Sequence, residues 1–93
     1  MKTRDWSITI EGRFVHEYGL KDHALLVYSL LREITIREGG FIESTQQLAD
    51  MAGIHPTTVR TIVRSLEIGG FASTEKILDG DRRVVKIVRI TRL

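Results

Sequence analysis

Residues 44 to 66, Ser44-Thr-Gln-Gln-Leu-Ala-Asp-Met-Ala-Gly53-Ile-His-Pro-Thr-Thr-Val-Arg60-Thr-Ile-Val-Arg-Ser-Leu66, read as two short helices joined by a tight glycine turn. In the second helix Val59, Ile62, Val63 and Leu66 keep the i, i+3, i+4, i+7 spacing of an apolar stripe. Thr57, Arg60, Thr61 and Arg64 repeat that spacing on the other side. This outer face carries guanidiniums and hydroxyls and no acid. A helix built this way packs by one side and offers the other to an anion rich in hydrogen-bond acceptors.

The turn chemistry agrees. Ser44 and Gln47 have the S-x-x-Q spacing of a capping box, which predicts a helix from Thr45 with Leu48, Ala49 and Ala52 on one face. Gly53 sits just past the end of that helix, where a left-handed residue is needed. Ile54 is placed to drop into the core between the helices. Pro56 suits the first position of the next helix, because its missing N–H has no helical partner to lose there. His55 then falls at the N-cap, although it is not a favoured capping residue.

With these residues in view, the stretch 45–64 resembles the helix-turn-helix of bacterial DNA-binding proteins. That motif asks for an apolar and then a small residue in the first helix, a glycine followed by an apolar residue in the turn, and two apolar positions in the second helix. Leu48, Ala49, Gly53, Ile54, Val59 and Ile62 fill those places here. Ala49 has a physical reason to be small, since the helices cross closely at that point.

Downstream, Glu67-Ile68-Gly69-Gly70-Phe71 reads as a helix end. Residues 71–78 and the β-branched run 82–91 read as two strands, with Asp79-Gly80 as a two-residue hairpin signal between them. A helix-turn-helix followed by a β-hairpin resembles the winged helix fold, in which the hairpin is the wing. The resemblance implies that the wing lies along the DNA backbone or reaches into the minor groove. Lys76, Arg82, Arg83 and Lys86 lie in or near it.

Upstream, residues 21–37 form an apolar-rich helix starting near Lys21 or Asp22, with Leu20 able to staple onto Leu25. Gly39-Gly40 ends it, and Phe41-Ile42-Glu43 is a candidate short strand joining the wing sheet. Trp6-Ser7-Ile8-Thr9-Ile10 alternates as a strand does, and Glu11-Gly12 reads as a turn. This N-terminal piece, residues 1–15, is either an extra sheet strand or a dimerisation arm, so a homodimer stays open.

Ninety-three residues with 42% hydrophobic content make one domain with one modest core. The net charge is only +2. Its distribution is more informative: residues 1–54 hold six Lys/Arg against eight Asp/Glu, and residues 55–93 hold eight against four. The basic half is the second motif helix plus the hairpin, where a nucleic-acid footprint is expected. There are no cysteines, which removes disulfides and thiolate metal sites. The longest apolar run, Ala24 to Tyr28, is too short to span a bilayer, and no signal-peptide run opens the chain. A cytoplasmic protein with no membrane partner is the expectation. The chain is either a complete small protein or the N-terminal module of a longer one.

No phosphate loop, paired carboxylates or activated nucleophile is present, and His16 and His23 lack a third ligand. Neither catalysis nor a cofactor is expected. The sequence thus predicts a mostly α domain with a small antiparallel sheet, a winged helix-turn-helix of three helices, a hairpin wing and an extra N-terminal strand. The expected partner is double-stranded DNA. The expected contacts are Ser44, Thr45 and Gln46 on phosphate, Thr57, Thr58, Arg60, Thr61 and Arg64 in the major groove, and Lys76, Arg82, Arg83 and Lys86 on the wing. The resemblance implies a transcriptional regulator of bacterial, phage or plasmid origin. The opening helix and the motif also resemble the N-terminal domains of phage replisome organisers and plasmid replication initiators, including the DnaD group. A protein-interaction module that keeps the fold without binding DNA is the third reading.

Overall fold

The computed structural model describes residues 8–41, 44–78, 80–81 and 84–93. In chain order the elements are α1 (Gly12–His16), α2 (Asp22–Glu38), α3 (Thr45–Ala52), α4 (Pro56–Ile68), β1 (Ala72–Leu78) and β2 (Val84–Ile90). Among the described residues this is a mixed α/β chain of four helices and one two-stranded antiparallel sheet.

The long helix α2 is the hub. Val27, Tyr28, Ser29, Leu30, Leu31 and Ile34 are all buried, so its middle is covered on most sides. It ends where Gly39 turns left-handed (φ 82°) and its N–H caps the Thr35 carbonyl. Gly40 follows at φ 156°, and a Cβ there would stand 2.7 Å from Ile87 Cγ2. Only a bare backbone lets α2 exit this close under β2.

α3 and α4 form as their capping chemistry predicts. The Ser44 hydroxyl accepts from the Gln47 N–H at 3.3 Å, and the Gln47 side chain accepts from the Ser44 N–H at 2.9 Å. Gly53 is left-handed (φ 70°) and Ile54 is buried behind it. His55 does serve as the N-cap of α4, its Nδ1 accepting from the Thr57 N–H at 3.2 Å. Leu48, Ala49, Ile54, Val59 and Leu66 join α2 in one core that Phe14, Leu20, Phe41, Ala72 and Ile90 complete.

The hairpin departs from its sequence signal. Leu78 pairs with Val84, so the connection is residues 79–83 and not the two-residue Asp79-Gly80 turn; Asp79, Arg82 and Arg83 lie outside the described residues. The core decides this register. Ala72 stands opposite Ile90, and both are buried. Closing the strands on Asp79-Gly80 would shift the pairing by an odd number of residues and turn Ile90 to the other face. Of the short strand expected at 41–43, Phe41 makes one antiparallel bridge with Val88, with N–H to O distances of 2.7 and 2.9 Å. Ile42 and Glu43 lie outside the described residues.

The N-terminal reading is corrected. Residues 8–10 are not a strand, and the turn expected at Glu11-Gly12 is instead the start of α1. Trp6 lies outside the described residues. Phe14 drives the helix: its ring is fully buried and meets Tyr28 edge-on at 4.9 Å between centroids. Tyr18, Tyr28 and Phe71 extend this cluster. The Tyr28 hydroxyl donates to the Arg92 carbonyl at 2.7 Å, which ties the residues after β2 to α2.

Two substitutions test this frame. Gly40→Ala should cost about 1–3 kcal/mol of unfolding free energy, because either Ile87 or the backbone must move; an unchanged urea midpoint would show the approach to be slack. Tyr28→Phe should cost about 1 kcal/mol at neutral pH for the lost hydrogen bond. Burial, followed by the nearby Tyr18, raises the Tyr28 pKa above its ordinary value of 10.0. The folded protein therefore holds that proton more tightly than the unfolded chain does. The stability this provides is complete below pH 10.0 and declines as pH rises through the folded value. Denaturation curves above that pH should fall more steeply for the parent than for Tyr28→Phe.

Candidate nucleic-acid interface

α4 puts its apolar stripe inward, with Val59 and Leu66 buried and Ile62 and Val63 half-buried. Thr57, Arg60, Thr61 and Arg64 are consequently all exposed, as the spacing requires, while Thr58 is half-buried. The Thr61 hydroxyl donates back to the Thr57 carbonyl at 3.1 Å. Its proton is thus engaged, and Thr61 offers a partner a methyl group and acceptor lone pairs.

The hairpin lies along one flank of α4 and closes a cleft of about 480 Å³. Arg60, Arg64, Val63 and Glu67 line it from α4, Thr74, Lys76, Lys86 and Val88 from the sheet, and Thr45 from the start of α3. Residues more than twenty positions apart in the chain thereby become one surface. Among the described residues, Arg60, Arg64, Lys76 and Lys86 take part in no ion pair, whereas Arg13 and Arg32 share Glu11, Arg37 pairs with Glu33 and Arg89 with Glu75. Among the described residues the four cations of the cleft thus stand together without an ion-pair partner.

The sheet register sharpens this. Lys76 stands directly opposite Lys86. Like charges in that position destabilise a strand pair. Both lysines lie on the sheet face that carries Ala72 and Ile90, the face turned toward the cleft.

Other expected contacts separate from this group. Ser44 is committed to the capping box, and Gln46 donates to Asp50 at 3.1 Å, so both side chains serve α3 locally. Thr45 alone of the three lines the cleft. Arg82 and Arg83 lie outside the described residues. Glu67, Thr74 and Val88 were not anticipated as lining. Thr74 and Val88 were open to inference from the alternation with Lys76 and Lys86, but only with the strand register in hand.

A larger cleft of about 920 Å³ lies on the other flank of α4, between it and residues 18–24. Its charged lining is Lys21, Asp22 and His23, a mixed set with no concentration of cations. Size does not make it the better candidate; the four clustered cations line the smaller cleft. Among the described residues no group of three or more His, Cys, Asp or Glu is placed to hold a metal ion, and no helix is long and apolar enough to cross a membrane.

No protein-family model matches this chain, and no curated protein sequence matches it.

The lysine pair makes a prediction about stability alone. Lys86→Thr should raise the thermal midpoint, by the equivalent of about 0.2–1 kcal/mol, because it removes a like-charge pair and adds a strand-favouring residue. A lowered midpoint would mean that Lys86 supports the hairpin.

Proposed function

We propose that this protein is a winged helix domain that binds double-stranded DNA, with α4 in the major groove and the hairpin against the adjacent backbone. The observation that carries this reading is the cleft in which Arg60 and Arg64 of α4 meet Lys76 and Lys86 of the hairpin, all without ion-pair partners among the described residues. A destabilising Lys76–Lys86 pair facing this cleft makes sense if an anion normally sits there. The exposed outer face of α4 adds the donors and methyl groups that base edges recognise. Arg60 and Arg64 suit guanine O6 and N7, Thr57 suits a phosphate or a thymine methyl, and Thr61, whose proton is engaged, suits a thymine methyl. The match of residues 45–64 to the bacterial helix-turn-helix pattern supports the same reading.

The biological setting follows from the resemblances: transcriptional regulation, with replication initiation as the alternative. The symmetry of the site separates them. A palindrome fits a regulator, and repeated direct sites fit an initiator.

The test is selection of a bound sequence from a random duplex pool, followed by titration at several salt concentrations. Affinity should fall steeply with salt, with a log–log slope of about −0.9 for each neutralised phosphate. Replacing Arg60 or Arg64 with Ala should cost on the order of 1–3 kcal/mol on the selected site and relax the preference at one or two positions. Lys76→Gln with Lys86→Gln should weaken selected and random duplexes alike and flatten the slope by about 1 for each lost contact. An absence of salt-dependent duplex binding by the parent would leave a protein-interaction module as the reading.

A further inference from the structure

Among the described residues Glu67 is the one acid lining the cationic cleft, and no hydrogen bond or ion pair accounts for it. It is exposed, and its carboxylate has no hydrogen bond or ion pair among the described residues, although Arg64 lies one turn before it. It occupies the last turn of α4, where the helix dipole disfavours an acid. Its charge also opposes the charge of Arg60, Arg64, Lys76 and Lys86, and so weakens the cleft as a general phosphate site.

We propose that Glu67 is a specificity-determining residue of this cleft: its carboxylate penalises sequence-independent complexes more than the cognate one. The proposal rests on the duplex-binding reading above. An ionised carboxylate only accepts hydrogen bonds. In duplex DNA it meets donors at the amino groups of cytosine and adenine in the major groove, and repulsion at every phosphate. A protein sliding on arbitrary sequence samples many registers in which a phosphate comes near Glu67, and each is disfavoured. The specific register is one in which an amino edge or water faces it. Discrimination of this kind works by raising the energy of wrong complexes.

The experiment compares the parent with Glu67→Gln, which keeps the shape of the side chain and removes the charge. Affinities are measured for a random-sequence duplex and for the duplex that the parent selects, at one salt concentration, with thermal midpoints alongside. The random duplex should bind roughly fivefold tighter to the variant, the size of one unit-charge contact in water. Affinity for the selected duplex should change less, so the specificity ratio falls. An equal gain on both duplexes, or no change on either, overturns the proposal. So does a lowered thermal midpoint with both affinities reduced, which would make Glu67 a structural residue. Failure of the parent to bind any duplex with salt dependence is visible before the variant is made; it removes the functional reading and the proposal with it.

Discussion

The hairpin is held to the end of α2 by a short set of backbone contacts, and the candidate interface depends on them. Phe41 and Val88 exchange two hydrogen bonds immediately after Gly40 passes beneath Ile87. The Ile90 N–H donates to the Thr35 hydroxyl at 3.0 Å, and that hydroxyl donates in turn to the Leu31 carbonyl at 2.7 Å. Tyr28 then fastens the residues just beyond β2. An isolated two-stranded hairpin is only marginally stable in water. These anchors, with Ala72 and Ile90 buried beside them, hold it at a fixed place against α4.

That placement turns a helix with a polar face into a cleft with two basic walls. Arg60 and Arg64 come from one wall, Lys76 and Lys86 from the other. Each alone is an ordinary solvated cation. Together, and unpaired among the described residues, they concentrate positive potential where a polyanion would gain most from it. Two other arginines have structural work: Arg13 and Arg32 converge on Glu11, and their guanidiniums lie over the Phe14 ring at 5.5 and 5.1 Å. In a chain whose net charge is only +2, these arginines are engaged by the fold while the four cations of the cleft have no ion-pair partner among the described residues.

The same geometry leaves two local departures from the most stable choice around the cleft. A like-charged pair across the strands costs stability, and an acid in the last turn of α4 opposes the helix dipole. Local departures of this kind from the most stable choice are expected where a surface serves recognition.

The α3–turn–α4 unit was legible in the sequence because its determinants are local. A capping box, a left-handed glycine, a proline at the first helical turn and a 3.6-residue period each act within a few residues. For the same reason the exposed face of α4 was readable residue by residue. α1 was not legible: five residues give too little periodicity, and its formation depends on Phe14 finding Tyr28 across the core. The hairpin register was also out of reach, since a strong Asp79-Gly80 turn signal yielded to the burial of Ala72 and Ile90 on one face. The cleft required both. Which lysines face which arginines, and that Glu67 stands among them, are consequences of long-range packing. Sequence by itself determined the helices and the face that α4 presents; only the tertiary structure decided what stands opposite that face, because register and docking are set by contacts between residues far apart in the chain.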